Sequence, residues 1–581
     1  MNGVEESDEE RFFECQVNVT LPSRTPVVGI EFTPNVFRLQ KSGSSNVLQQ
    51  NLLRFTWYRK EITSFLGEDR NTCFVHRDKL ATVQCTSCLT LNLPLEQSYH
   101  CSANCFIQAW KSHMLSHSRA LETARAKNEA VAVATELRSC GSWCENETPF
   151  MVEIPSMVEQ WIEVGSLKSY APTSNDFGCI LRLVSVAVDC STGTHLSAMN
   201  IIETKPVITA PYSRPRCLVN CSLNGFDFDP KGQVAFSVLS YNVLADLYAR
   251  RSKYRYCPPW ALVWEYRRQK LLDEIIKYDA DIICLQELYT ANKYIIDGCA
   301  IFYRHTLFKE TAKYELDFDK TALPFVEALE PKLRSEGSFR LLKDNIALVA
   351  VLETLNNERF HDMFPSIICV ANTHIHADSN VPDVKLFQVV SLINKLEEIV
   401  DPQIPLLICG DFNSLPSSDP YKFVVSGGCD LVDNEKHDPL GIFKGRKLQH
   451  SLHLVLLQAS AYASFSVSVG VEDQLNKMDG ETKEPLFTNF TRSFSGTLDY
   501  IFYTVNSLRV EDLLELLDRE SLRPGLPSPV WPSDHIALMA RFSLQPPPIG
   551  LGHCLLQHPL KSFNKHHLDN LYDTFQGQLQ S

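Results

Sequence analysis

Between Gln233 and Phe542 of the 581-residue chain, side chains able to bind a cation or move a proton recur at one kind of place, the end of a short apolar run. Ala235–Tyr241 ends in Asn242, and Asp281–Leu285 ends in Gln286-Glu287. Ser366–Ala371 ends in Asn372-Thr-His374, and Ile404–Cys409 ends in Gly410-Asp411-Phe412-Asn413. Asp499 lies in the run Gly496–Ile501, and Ser533-Asp534-His535 precedes the last run, Ile536–Phe542. Any one of these, taken alone, reads as a turn residue or helix cap. Together they supply carboxylates (Glu287, Asp411, Asp499, Asp534), amides (Asn242, Asn413) and imidazoles (His374, His535) that one scaffold can converge on a point. Oxygen-rich donors with few thiols suit Mg²⁺ rather than zinc. Such a set fits phosphodiester hydrolysis: a metal neutralises phosphate charge, a base activates water, and a donor stabilises the departing oxygen. No Gly-rich Walker loop is present, which disfavours nucleotide-driven phosphoryl transfer.

The runs must be strands, and helical patterns at Trp264–Lys277 and Asp383–Glu398 fall between some of them. Alternation of this kind predicts an α/β domain of layered sheets.

A second group of candidate ligands lies nearer the N-terminus. Cys73-x2-His76, Cys85-x2-Cys88, Cys101-x3-Cys105 and His113-x3-His117 fall within 45 residues. Each tight pair offers two donors to a tetrahedral Zn²⁺, and eight donors fit two ions. Tyr99 and Trp110 are candidates for a small apolar core. Around this segment, Thr25–Phe37, Leu53–Tyr58, Gln160–Tyr170, Ile180–Val188 and Pro206–Ile208 are β-rich and read as strands. Cys140/Cys144 and Cys217/Cys221 repeat the x3 spacing without neighbouring ligands and read as structural.

Composition narrows the class. Hydrophobic residues make up 44% and charged residues 21%, ordinary globular values. The net charge of −14 excludes a protein that holds nucleic acid by general basicity. Glu5, Glu6, Asp8, Glu9 and Glu10 concentrate acid in an N-terminal tail that reads as solvated. That tail disfavours a secretory or mitochondrial leader. The longest uncharged stretch, about Ser451–Val471, carries too many polar residues for a membrane span. An odd 19 cysteines point to free thiols and metal ligands, so a soluble intracellular protein without membrane association is expected.

Two resemblances sharpen these readings. Tyr99-His-Cys-Ser-Ala-Asn-Cys105, followed by Trp110, His113 and His117, resembles the MYND-type zinc finger, with His76 and His117 where cysteine is usual. The family's crossed arrangement would put Cys73, His76, Cys101 and Cys105 on one ion, and Cys85, Cys88, His113 and His117 on the other. His100 is a substitute candidate. The resemblance implies two structural zinc ions and a module that docks partner peptides. Trp57 with Tyr170–Gly178 resembles an immunoglobulin-like sandwich, into which the finger would be inserted.

The runs ending in Asn242, Glu287, His374, Asp411-Phe-Asn413, Asp499 and Ser533-Asp-His535 resemble the endonuclease/exonuclease/phosphatase superfamily. The strings Tyr256-Cys-Pro-Pro-Trp260, Trp264-x-Tyr266-Arg267-Arg268, Asp297-Gly-Cys-Ala300, Asp383-Val-Lys385, Glu484-Pro-Leu-Phe-Thr-Asn489 and Leu498-Asp-Tyr-Ile-Phe-Tyr503 resemble the carbon catabolite repressor 4-type poly(A) deadenylases. A MYND-like finger in front is the arrangement of that family's plant members. The implied fold is a four-layer α/β/β/α sandwich behind an immunoglobulin-like β domain carrying the finger. The implied activity is Mg²⁺-dependent 3′-to-5′ shortening of mRNA poly(A) tails with release of AMP. One or two Mg²⁺ would be held by Glu287, with Asn242 and Asp534 completing or orienting the shell. Asp411 would position or deprotonate water, with Asn413 holding it. His374 and His535, the latter oriented by Asp499, would stabilise phosphorane oxygens. Asn489 and Phe494 match the residues that hold the terminal adenine, although Ser379 stands where the family has a proline after His374. Implied partners are poly(A) mRNA, a DEDD-type deadenylase reached through the finger, and the NOT scaffold. The implied locations are the cytoplasm, with its processing bodies, and the nucleus.

The expected boundaries are an acidic disordered tail at 1–24, β-sandwich-like segments at 25–63 and 150–225, the finger at 70–120, the nuclease domain at 233–545 and a tail at 546–581. One departure stands out: nine residues separate Glu287 from Asp297, where the family carries a helix and a strand. Nine residues span at most about 30 Å, so closure is feasible, with apolar surface exposed beside Glu287 as the expected consequence. Two readings compete with the nuclease: an impaired isoform that only docks another deadenylase, and a hydrolase of lipid or inositol phosphates or abasic DNA.

Overall fold

The structure is a computed structural model. It describes residues 16–39, 53–63, parts of 72–119, 158–188, 192–212, 214–221, 235–288, 298–355, 366–430, 438–443, 447–450, 460–468 and 470–545. The chain divides into two compact units. The first comprises Met1–Arg214, Arg250–Leu272 and Pro527–Pro532, and the second comprises the remainder.

The first unit contains β1 (Gln16–Thr20), β2 (Asn35–Leu39), β3 (Leu53–Thr63), β4 (Val83–Gln84), β5 (Tyr99–His100), β6 (Val158–Gly165), β7 (Ile180–Ala187) and β8 (Asn200–Pro206). A four-stranded antiparallel sheet runs β6-β3-β7-β8, and β1 and β2 form a separate pair. Alternation explains the core: Val17 and Val19 of β1 face Phe55, Trp57, Leu183 and Ala187. Trp57 is fully buried and stacks on Tyr170 at 5.8 Å. Buried Asp176 locks the following loop. It accepts from Tyr170 Oη at 2.7 Å and Thr173 N at 2.7 Å, and pairs with Arg59 at 3.3 Å. The thiol-bearing segment with β4 and β5 lies in sequence between β3 and β6, two neighbours in this sheet.

Three expectations need correction here. The acidic tail does not extend to residue 24, because Gln16–Thr20 is a strand whose valines enter the core. Thr25–Phe37 is not one strand, since Pro26 and Pro34 lack the N–H a ladder needs and Gly29 turns the chain at φ 78°. Only the isolated bridges Val27↔Ile208 and Phe32↔Tyr170 remain before β2 begins at Asn35. Residues 215–221 do not belong with the N-terminal β unit: β9 (Leu218–Asn220) is the outermost strand of a sheet in the second unit.

That second unit carries the candidate chemistry. Its strands are β9, β10 (Ala235–Asn242), β11 (Ile282–Gln286), β12 (Ala300–Tyr303), β13 (Phe308–Asp317), β14 (Ile346–Thr354), β15 (Ile367–His374) and β16 (Leu406–Asp411). They continue with β17 (Gly428–Asp430), β18 (Lys447–Gln449), β19 (Asn489–Phe490), β20 (Ser495–Gly496), β21 (Asp499–Tyr503), β22 (Leu508–Leu514) and β23 (Leu538–Leu544). A six-stranded sheet runs β12-β11-β10-β23-β22-β9 and a five-stranded sheet runs β13-β14-β15-β16-β21. The sheets pack face to face through β10 and β11 against β15, β16 and β21. Strands buried on both faces explain the near-continuous apolar runs such as Ile367–Ala371 and Leu406–Cys409.

Helix α1 (Trp264–Tyr278) joins the parallel neighbours β10 and β11, and Tyr241 Oη donates to Glu274 of that helix at 3.0 Å. Helices α2 (Phe318–Ala328), α3 (Arg334–Leu341), α4 (Pro382–Ile399) and α5 (Asp419–Ser426) accompany the five-stranded sheet, and α4 joins its parallel neighbours β15 and β16. A parallel pair requires such a crossover. Among the described residues no helix is long and apolar enough to cross a membrane.

The short connection after Glu287 closes as a hairpin. β11 and β12 pair antiparallel, and Leu288 N donates to Gly298 O at 3.0 Å. Residues 289–297 between them lie outside the described set. Glu287 is 9% exposed at the head of this hairpin, and Phe302 of β12 is 51% exposed.

Candidate active site and thiol cluster

Strand direction brings the predicted residues of the second unit together. β10 and β11 are parallel, so Asn242 and Gln286-Glu287 leave the sheet at one edge. β23 is antiparallel to β10, so the residues just before it, Asp534 and His535, arrive at that same edge. In the other sheet His374 pairs with Asp411 in parallel register and Asp411 with Asp499 in antiparallel register. The β15–β16 approach requires glycine: a Cβ on Gly410 would lie 2.1 Å from the Thr373 carbonyl oxygen.

One amide joins the two sheets' carboxylates. Asn242 Nδ2 donates to Glu287 Oε1 and to Asp411 Oδ2, each at 3.0 Å. Ala245 N holds Glu287 Oε2 at 2.8 Å, and Leu244 N fixes Asn242 Oδ1 at 3.0 Å. His535 Nδ1 lies 2.7 Å from Asp499 Oδ2, while its Nε2 faces Asp411 Oδ2 at 3.6 Å. His374 Nε2 approaches the same oxygen at 3.7 Å. Asn413 caps the turn, its N–H on Asp411 Oδ1 at 2.8 Å and its Nδ2 on the Ile375 carbonyl at 2.9 Å. Backbone strain collects here: Leu244, Glu287 and Asn413 have φ of 55°, 58° and 46°. Non-glycine residues in this region persist only where surrounding contacts fix them.

The electrostatics are those of a site built for a cation. Burial, with Asp534 adding to it, pushes the Glu287 carboxyl above the usual range. Burial followed by Asp499 does the same to Asp411. Burial works against His535 carrying charge, but Asp499 and Asp411 outweigh it and push its pKa up to about 10. Asp499 Oδ1 is buried without a hydrogen-bond partner. Crowded, desolvated carboxylate oxygens of this kind match the hard-donor chemistry of Mg²⁺.

The adenine-site candidates flank the same edge. Asn489 is buried in β19 and bridges to His535, and β19 pairs with β20 so that Asn489 faces Gly496. Phe494 sits in the turn between them, 39% exposed, its N–H on Thr491 Oγ1 at 3.1 Å. A Cβ on Gly496 would lie 3.0 Å from the Phe494 ring, so glycine leaves room for that ring. Glu484, at the start of the string leading to Asn489, is fully buried and held by Tyr421 Oη at 2.7 Å and Ser460 Oγ at 2.6 Å.

Sequence reasoning missed the group that ties the two sheets behind these residues. Asn372, noted there only as a strand-end residue, accepts from Gln286 Nε2 at 2.7 Å and donates to the carbonyls of Leu285 and Ala300, each at 2.9 Å. It thereby fixes the β11–β12 hairpin, and with it Glu287, against β15. The only local signal was an amide at the end of each of two buried runs.

In the first unit, Cys73, His76, Cys101 and Cys105 gather into one candidate metal group. His76 Nδ1 lies 3.7 Å from Cys73 Sγ, 3.3 Å from Cys101 Sγ and 3.4 Å from Cys105 Sγ, and Cys73 Sγ lies 3.5 Å from Cys105 Sγ. Tetrahedral zinc with its usual bond lengths has ligand–ligand edges of about 3.5–3.8 Å, so this donor set fits that ion. Burial opposes ionisation of Cys73, but hydrogen bonds led by the His76 N–H bring its thiol down to about 6. Burial and then the neighbouring Cys73 push Cys105 up to about 12. His100 is buried, its Nδ1 3.9 Å from Cys105 Sγ. Cys85 and Cys88 are buried side by side against Phe106, and Cys85 pushes the Cys88 thiol upward. His113, His117, Trp110, Cys140 and Cys144 lie outside the described residues. Cys217 and Cys221 flank β9, the first exposed and the second buried.

Comparison with known proteins agrees with this geometry. The endonuclease/exonuclease/phosphatase family matches residues 239–535. Carbon catabolite repressor protein 4 homolog 1 of Arabidopsis thaliana is 39% identical over 602 residues, spanning 91% of this chain and 98% of its own. Homolog 2 of the same plant is 38% identical with the same coverage of both chains. The CCR4-Not complex 3′-5′-exoribonuclease subunit Ccr4 of Mycosarcoma maydis is 32% identical, spanning 61% of this chain and 58% of its own. The chain belongs to the carbon catabolite repressor 4 family, within the endonuclease/exonuclease/phosphatase superfamily.

Proposed function

We propose that this chain is a Mg²⁺-dependent 3′-to-5′ exoribonuclease that shortens mRNA poly(A) tails and releases AMP. The observation that carries the reading is the hydrogen-bonded set Asn242, Glu287, Asp411, Asp499 and His535 on one edge of two packed sheets. The relatives' names support it, since the fungal subunit is called a 3′-5′-exoribonuclease of the CCR4-Not complex.

Glu287 would hold the Mg²⁺, with Asp534 and Asn242 completing or orienting its shell. When bound, the ion would offset the charge of the scissile phosphate. Asp411 accepts the proton of the attacking water, which Asn413 helps to hold. Water oxygen bonds to the last phosphorus and the bond to the preceding 3′-oxygen breaks; that oxygen takes up a proton from solvent to become the new 3′-hydroxyl, and the terminal nucleotide leaves as AMP. His535, kept protonated and oriented by Asp499, donates from Nε2 to the charged phosphoryl oxygens, with His374 beside it. Phe494 stacks on the terminal base, a contact worth about 1–3 kcal/mol, and Asn489 hydrogen-bonds its edge.

In the first unit, two zinc ions would hold the MYND-like finger, one on Cys73, His76, Cys101 and Cys105, the other on Cys85, Cys88, His113 and His117. The finger, on an immunoglobulin-like sandwich, would dock a DEDD-type deadenylase and bring the chain to the NOT scaffold. The expected locations are the cytoplasm, including processing bodies, and the nucleus.

The test is substrate choice. Full-length protein with Mg²⁺ is offered a 3′-A-tailed RNA, the same RNA ending in a non-A tract, abasic DNA and an inositol polyphosphate. Preferential shortening of the A-tailed RNA is expected. Preference for abasic DNA or the inositol polyphosphate would overturn the reading.

A further inference from the structure

Two stretches of chain without regular structure follow strands that end in predicted catalytic groups: the run leaving β15 after His374, and the turn Phe412-Asn413 leaving β16 after Asp411. Both are held by the N-terminal half of α4. Lys385 is 8% exposed, and its Nζ donates to the Asn413 carbonyl at 2.6 Å and to the Ala377 carbonyl at 3.3 Å. Gln388 is fully buried. Its Oε1 accepts from His376 N at 2.9 Å, and its Nε2 donates to Asn345 Oδ1 at 3.1 Å. Asn345 in turn donates from Nδ2 to the His374 carbonyl at 3.1 Å. The helix is pinned from the other side, where Arg340 of α3 grips buried Asp383 through two bonds of 2.7 Å.

The chemistry of these contacts is specific. A buried ammonium is costly to desolvate unless its donors are used. Here two of its three N–H groups donate to backbone carbonyls, one of them belonging to Asn413 in the left-handed conformation at φ 46°. A charge-assisted bond on that carbonyl opposes relaxation of the turn. Gln388, through its own amide and through Asn345, fixes the backbone on both sides of Ile375, whose carbonyl receives the Asn413 side chain. The two stretches are therefore registered to each other through a single helix face rather than by the sheet alone.

We propose that Lys385 and Gln388 are positioning residues that set the geometry of Asn413 and His374 for the reacting phosphate, with Arg340 and Asp383 seating the helix that carries them. The inference rests on the nuclease reading above. Partners that orient active-site groups typically carry about 10–100-fold in activity when removed.

The experiment compares full-length wild type, Lys385→Met, Lys385→Arg and Gln388→Glu on A-tailed RNA, reading kcat and KM separately, together with the Mg²⁺ midpoint, thermal melting and amide hydrogen exchange. Lys385→Met should lower kcat about 10–100-fold while KM and the Mg²⁺ midpoint stay within about twofold, and exchange at Phe412–Ser414 should accelerate. Lys385→Arg, which still offers donors to both carbonyls, should recover part of kcat. Gln388→Glu keeps the acceptor for His376 N and loses the donor to Asn345, so it should reduce kcat less than Lys385→Met. Unchanged kcat in a folded Lys385→Met, or a loss carried by KM or Mg²⁺ affinity, would overturn the proposal. If Lys385→Met melts early, Gln388→Glu decides: a kcat equal to wild type overturns the proposal. Wild type inactive on every RNA, with unchanged exchange in Lys385→Met, would overturn both readings; wild type active with an equally active Lys385→Met would overturn only this one.

Discussion

The strand-end site of the second unit and the thiol cluster of the first are both candidate metal centres, built in opposite ways. Asn242, Glu287, Asp411, Asp499 and His535 are placed by the strands of two large sheets; Asn242 already hydrogen-bonds Glu287 and Asp411, and His535 hydrogen-bonds Asp499. Among the described residues the thiol cluster has the two-residue strands β4 and β5, one 3-10 turn at Leu95–Ser98 and a small core of Cys85, Cys88 and Phe106. Its sulfurs crowd the His76 imidazole. In the first case the fold makes the site and a metal would add chemistry. In the second the metal would make the fold, as in small zinc modules where binding energy is folding energy.

The sharpest way to break this contrast is Glu287→Gln. It should cut nuclease rate about 10³-fold or more, since several kcal/mol of charge stabilisation go with the ion, yet leave the melting temperature near that of wild type. A large loss of stability would show that the carboxylate is structural. His535→Ala should cost about 10²–10³-fold in kcat, the scale for one lost donor to a developing oxyanion. Asp499→Asn should cost less, because the ring stays and only its charge and tautomer are disturbed; equal losses would mean Asp499 does more than orient. Phe494→Ala should weaken binding of A-tailed RNA by about 1–3 kcal/mol, roughly 5–150-fold in KM, with kcat little changed. The smallest catalytic effect is expected from Cys101→Ser. Elemental analysis should find one zinc fewer per chain and limited proteolysis should open residues 72–119, while kcat on A-tailed RNA stays within about twofold of wild type.

The contrast also explains what was legible in the sequence. Strands buried on both faces stop being apolar where they reach the site, so Asn242, Glu287, His374 and Asp411 announce themselves at the ends of their runs and Asp534 just before one. Metal-ligand spacing is equally local, and Cys73, His76, Cys101 and Cys105 do come together. Residues whose task is set by distant partners left no such mark. Asn372 looks like any strand-end amide until β11 is brought opposite β15. Lys385 and Gln388 lie in a helix where nearly every neighbour is buried, and only the tertiary fold says which carbonyls they face. β1 was hidden by the acidic tail preceding it, and β9 by its distance in sequence from its partner β22.

The central claim is that the Glu287 edge is a Mg²⁺-dependent exonuclease site. The measurement is the product ladder from a 5′-labelled, 3′-A-tailed RNA incubated with full-length protein across a Mg²⁺ titration, for wild type and Glu287→Gln side by side. The account predicts stepwise loss of single adenylates from the 3′ end by wild type, abolished without Mg²⁺ and absent in Glu287→Gln at every concentration. A ladder of equal strength from both proteins, or none from wild type at saturating Mg²⁺, would contradict it.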